Sequence, residues 1–187
     1  MITPHFGYSD KEIKLQYGFN ISICQLPAAF NGRQVSDYQT FAREIQPFVK
    51  NANSGYYKIN LYPIAFQSTD VSLWQDEFSE IPDFQNKNEY INFCRKYRFI
   101  EMNRWVETYR PRLIICFGKS YSYDFNLAFS DGFCSFKEEI IESHVLQWKR
   151  NENGTIVAVL PFPSGVSSLN SHLVLQLFGE RLIELLI

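Results

Sequence analysis

The chain has 187 residues, 45% of them hydrophobic and 17% aromatic, and carries a formal net charge of -2. This composition excludes a disordered chain and predicts one ordered domain over residues 1–187 with a substantial core. It also excludes a global electrostatic attraction to nucleic acid, so any DNA binding needs a local basic face.

No apolar run approaches the roughly 20 residues of a membrane span. The first residues, with His5, Asp10 and Glu12, lack the basic-then-apolar plan of a signal peptide. The four cysteines, Cys24, Cys94, Cys116 and Cys134, are dispersed, with no CxxC pair. Free thiols in a reducing cytoplasm are the expectation. His5 and His144 have no partners at metal-ligand spacing, and no iron–sulfur pattern is present, so no metal or other cofactor is expected.

In chain order, Phe19–Cys24 alternates as a strand and runs into the breaker Gln25-Leu26-Pro27. Tyr38, Phe41, Ile45 and Phe48 recur at helical spacing behind a cap at Ser36 or Asp37. Tyr56–Tyr62 reads as a second strand, stopped by Pro63. Residues 65–86 have no clear period and read as an irregular excursion. A long helix follows from about Lys87 to Tyr109, with Tyr90, Ile91, Cys94, Tyr97, Ile100, Trp105 and Val106 as its buried stripe. Arg112–Phe117 is a continuous apolar run stopped by Gly118, as expected of a strand buried on both faces. Residues 136–160 suggest a hairpin turning at Asn151-Glu152-Asn153-Gly154. A final helix covers about Ser168 to Leu186. Helical segments between buried strands predict an α/β fold: a three-layer α/β/α sandwich around a short, mainly parallel sheet.

Ligands of such sheets sit outside the carboxyl ends of the strands. Four segments fall there: Cys24–Pro27, Asn60–Pro63, Phe117–Ser120 and the turn Pro161-Phe162-Pro163-Ser164-Gly165. In that order they resemble the uracil-DNA glycosylase superfamily. Cys24-Gln25-Leu26-Pro27-Ala28 stands where that family has its first motif, Asn60 where an asparagine reads the flipped uracil, Pro111–Gly118 where its third core strand lies, and Phe162-Pro163-Ser164 where it has His-Pro-Ser. The resemblance covers about residues 19–187. It implies a protein that recognises a nucleobase in DNA or in a nucleotide. If catalytic, its reaction would be hydrolysis of an N-glycosidic bond.

The departures fall on the chemical residues. Leu26 replaces the acid or amide that handles water, and Phe162 replaces the histidine that stabilises charge on the departing base. Losing one such group commonly costs about 10²–10³ in rate, so ordinary base excision is not expected. The alternatives are a silent nucleotide- or nucleic-acid-binding module, or a protein-interaction domain presenting the 65–86 excursion to a partner.

The candidate base-site residues are Gln25, Leu26, Phe30, Asn60, Phe162 and Ser164. Lys119, Ser120 and Ser164 are candidate phosphate contacts. Each has a structural alternative: turn stabilisation for Gln25, a local backbone bond for Asn60, core packing for Phe30, and helix entry for Ser164. His172 is a further candidate to replace the missing histidine. The basic residues between Arg95 and Arg112 alternate with glutamates and read as a solvated helix face.

Overall fold

The computed structural model describes residues 15, 17–49, 55–64, 74, 78, 80–130, 132, 135–163, 169 and 171–187. Among the described residues the sheet has four strands, β1 (Leu113–Phe117), β2 (Lys137–Ile141), β3 (His144–Arg150) and β4 (Ile156–Leu160), in the order β1-β4-β3-β2. The α/β expectation holds, but the sheet is mixed rather than mainly parallel. Among the described residues only β1 and β4 run parallel, with Leu113 opposite Ile156 and Phe117 opposite Leu160, while β3 is antiparallel to both β4 and β2.

All five residues of β4 are buried, and their alternation divides the interior in two. Ile156, Ala158 and Leu160 join one apolar cluster; Val157 and Val159 join the other. The first cluster is completed by α1 (Gly18–Phe30) and α6 (His172–Glu184). The second is completed by α3 (Lys87–Phe93), α4 (Phe99–Tyr109) and α5 (Ser122–Phe129). Helices therefore cover both faces of the sheet. A 3₁₀ turn at Val35–Asp37 leads into α2 (Tyr38–Ile45) beside α1, and Gln176 of α6 accepts a hydrogen bond from the Val35 amide at 2.9 Å.

Two expected strands do not form. Residues 19–24 belong to α1, and the breaker Pro27 lies inside that helix. A short apolar run fits a buried helix as well as a strand. Here residues 22–29 are buried without interruption, and Ile23, Leu26 and Ala29 recur at helical spacing. Packing against α6 outweighs the backbone bond lost at Pro27. Tyr56–Tyr62 forms no strand among the described residues. The carbonyls of Asn60 and Leu61 accept instead from Arg98 Nη2 at 2.8 Å and Nε at 3.0 Å. Most of the 65–86 excursion lies outside the described residues.

The long helix starts where expected, with the Asn86 side chain accepting from the Glu89 amide at 3.0 Å. Its centre does not continue as an α-helix. Cys94–Arg98 is a π-helical turn between α3 and α4. The extra residue in that turn rotates α4 by about 100° relative to α3. The buried stripe therefore passes from Tyr90, Ile91 and Cys94 to Phe99, Met102 and Val106, while Tyr97 and Ile100, expected inside, face outward.

Helices α1 and α6 meet at Gly179. A β-carbon there would lie 2.3 Å from Ala29 Cβ and 3.0 Å from the Phe30 amide nitrogen. Gly179→Ala is expected to cost about 1–3 kcal/mol through overpacking, offset by up to about 1 kcal/mol of helix propensity. Adding Ala29→Gly should recover part of the loss, so that the double variant in urea denaturation is more stable than the summed single costs predict; simple additivity would rule out the contact.

Glu139 of β2 accepts from Arg181 of α6 at 2.7 and 2.8 Å and from the Trp148 indole at 2.7 Å. The Arg181 guanidinium, joined by that indole, holds its carboxyl below the ordinary glutamate range. A depressed folded value stabilises the protein above the unfolded pKa of about 4.3, and this stabilisation is lost as pH falls through the folded value. Glu139→Gln should therefore be less stable than the parent at pH 7, with the gap closing below about pH 4. A gap that stays constant down to pH 3 contradicts the pairing.

Candidate functional site

The chain leaves β1 toward one face of the sheet, into a 3₁₀ turn at Lys119–Tyr121 and then α5. After β4 it moves to the other face, into α6. Adjacent parallel strands whose following helices diverge open a crevice at their carboxyl ends. Gly118, the residue after β1, has φ of 106°, a region that disfavours any side chain. Its amide donates to the Leu160 carbonyl at 2.8 Å, tying the two strand ends together. A β-carbon at Gly118 would lie 3.9 Å from Tyr121 Cδ2 and 4.0 Å from Phe162 Cδ2, so both rings lie next to it.

On the α1 side of Gly118 is an aromatic ledge. Phe162, 49% exposed, stacks on Phe19 with ring centroids 5.6 Å apart, and Phe117 meets Phe19 edge-on at 6.0 Å. Lys58 Nζ lies 5.0 Å from the Phe19 ring centroid. Burial lowers the pKa of this ammonium, and a cation so placed is attracted by the ring quadrupole.

On the α5 side is a cleft of about 440 Å³ lined by Lys87, Asn88, Ile91, Asn92, Arg95, Ser120, Tyr121 and Asp124. Asp124, buried in the first turn of α5, accepts from Tyr62 Oη at 2.5 Å and from Arg95 Nε at 2.6 Å. The Arg95 guanidinium also lies 5.3 Å from the Tyr123 ring centroid. Burial, reinforced by the Asp124 carboxylate, pushes the Tyr62 phenol upward, so it remains a donor at neutral pH. The Tyr62 ring lies 5.6 Å from that of Tyr121. Arg95 and Arg98 both belong to the π-helical turn, a feature often found at functional sites. Arg95 reaches Asp124, while Arg98 holds the backbone just before Tyr62.

The sequence candidates separate. Phe162 is on the ledge and Ser120 lines the cleft, and Lys119 is exposed in the turn beside it. Ser164 lies outside the described residues. Leu26 is a core residue, 1% exposed, and lines neither part of the crevice. Gln25 is buried on α1, its side-chain nitrogen 3.0 Å from His172 Nε2. That pair bridges α1 and α6, on the opposite face of the sheet from Asp124. Phe30 packs near Tyr56 at 6.2 Å, about 17 Å along α1 from Phe19. Asn60 engages Arg98 through its backbone carbonyl. Gln25 and Leu26 are therefore delivered by a helix and not by a strand end, and Phe30 lies far along that helix from Phe19; Asn60 lies between Lys58, beside Phe19, and Tyr62, beside Tyr121.

Sequence reading missed Lys87, Arg95 and Asp124 as site residues; Tyr62, expected in a strand-end segment at the site, is a buried donor to Asp124. Charges on a long helix resemble a solvated face, and the turn that aims Arg95 inward has no simple sequence period. The one available signal was Asp124, an acid six residues beyond the strand-ending glycine in an apolar stretch.

Among the described residues, no three His, Cys, Asp or Glu side chains gather to hold a metal ion, and no helix is long and apolar enough to cross a membrane. No protein-family model, curated protein or solved structure matches the chain.

Asp124→Ala removes the carboxylate that accepts from the Tyr62 hydroxyl and from Arg95 Nε. The expected cost is about 1–3 kcal/mol. Tyr62→Phe should cost less, because it removes one neutral donor. The double variant should lose less than the sum of the two single losses in chemical denaturation, since both remove the same bond; strict additivity would contradict the shared contact.

Proposed function

We propose that this chain is a nucleobase- or nucleotide-binding domain without ordinary base-excision chemistry. The observation that carries this reading is that the half-exposed Phe162 and Tyr121 both lie next to Gly118, and Tyr121 is a wall of the polar cleft containing Arg95, Ser120 and Asp124. An aromatic face takes the flat apolar side of a base, and adjacent donors and acceptors take its edge. The resemblance to uracil-DNA glycosylases supports the reading at two of its four motifs: the Gly118 strand end and the Phe162 turn lie side by side. At the first motif it lends nothing, since Gln25 and Leu26 lie within α1; Asn60 lies in the segment between Lys58, beside the ledge, and Tyr62, beside Tyr121.

The same residues argue against excision. Phe162 has no donor for a departing base, and Leu26 is packed in the core without a polar group. Nucleosides, nucleotides and short single-stranded oligonucleotides should bind in calorimetric titration. Phe162→Ala should weaken nucleoside binding by about 5- to 100-fold, the range expected for loss of one base–aromatic stack. Uracil-containing oligonucleotides should release no free base at high protein concentration. Binding unaffected by Phe162→Ala would refute the ledge, and release of free base would restore the glycosylase reading.

A further inference from the structure

The outward face of α4 carries an ordered set of charges that the crevice does not use. The π-helical turn leaves Tyr97 and Ile100 each 51% exposed, and Glu101, Arg104 and Glu107 follow on the solvent side. Arg98 is drawn inward onto the Asn60 and Leu61 carbonyls. The outward charges from residue 96 to residue 107 are therefore Lys96, Glu101, Arg104 and Glu107. Toward the C-terminus their signs run plus, minus, plus, minus; in the opposite direction they run minus, plus, minus, plus. Such an order is complementary to its own reversal.

A second α4 laid antiparallel across this face, about a two-fold axis level with residues 102 and 103, sets Glu101 against Arg104 of the other copy and Lys96 against its Glu107. Every charge then meets its opposite, whereas a parallel arrangement sets like against like. Tyr97 comes level with Thr108 of the second copy, an exposed uncharged residue, so its ring faces no charge. Glu101 and Arg104 already pair within one helix. A guanidinium offers five donors and a carboxylate about four acceptor sites, so both keep capacity for the second copy and the four groups can close into a ring. Exposed ion pairs contribute little attraction of their own. They select the partner and its direction, while Tyr97 and Ile100 supply apolar area.

We propose that this face of α4 is the interface of a symmetric homodimer, with a second copy of the chain lying antiparallel across it. The proposal is independent of the nucleobase reading, because the face contains none of the residues that form the ledge or line the cleft. Two short helix faces fall at the small end of protein interfaces, so the expected dissociation constant is on the order of micromolar.

Sedimentation velocity over a concentration series tests it on the parent protein, Glu101→Arg, Arg104→Glu, the double exchange of both, and Ile100→Ser, with circular dichroism to establish that each variant is folded. The parent should pass from monomer to dimer as its concentration rises. Each single reversal brings like charges together and should weaken dimerisation at least about 10-fold. Ile100→Ser should weaken it as well. The double exchange keeps the order self-complementary and should restore the dimer to within a few-fold of the parent. A parent that stays monomeric up to about 100 μM overturns the proposal, as does a dimer indifferent to the single reversals. Reversals that weaken the dimer without rescue by the double exchange overturn it too, since the charges then do not meet in antiparallel register. No variant touches the crevice, so nucleoside binding is read separately and its failure leaves the dimer standing.

Discussion

Everything at the candidate site depends on β4 being buried on both faces. A strand with apolar side chains in both directions must have a helical layer above and below it. Once β1 lies parallel to it, the helix following each strand has to take a different face, because α1 and α6 fill one side and α3, α4 and α5 the other. The crevice at Gly118 is the geometric residue of that division. It needs no special residue to open it, only the divergence of two connections. Gly118 then lets the chain turn beside two rings without adding bulk of its own.

The second organising element is the π-helical turn at Cys94–Arg98. By rotating the helix it directs Arg95 to Asp124 and Arg98 to the carbonyls of Asn60 and Leu61. Those bonds anchor a segment that forms no strand among the described residues, and they bring Tyr62 into the core beside Tyr90 and Phe99. A buried carboxylate, a buried phenol and a half-exposed guanidinium thus satisfy one another where an unpaired charge would be costly. The accompanying cost is the exposure of Tyr97 and Ile100.

Elements bounded by strong punctuation were legible in the sequence. The helix start at Lys87, the strand before Gly118 and the strands around Asn151–Gly154 all have long patterns or clear turn residues. Residues 19–24 were not legible, because a six-residue alternation is too short to decide between strand and buried helix; the α6 surface decides it. Residues 56–62 alternate like a strand, but their carbonyl partners come from a guanidinium 38 residues away. The site divides along the same line. Phe162 and Ser120 were legible because they follow legible strands. Arg95, Asp124 and Tyr62 meet only after a change of helical phase that no local propensity announces.

The three described cysteines lie in three different layers: Cys24 in α1, Cys116 in β1 and Cys94 in the π-helical turn, all buried and free. Burial pushes the Cys24 thiol up to about 12 and raises the other two. At neutral pH only about one Cys24 in 10⁵ carries the reactive thiolate. In the folded state these thiols are chemically silent, and each becomes labile only when its own layer opens. The molecule therefore carries a built-in set of clocks, in which the order of thiol labelling reports the order in which helix, sheet and opposing helix come apart.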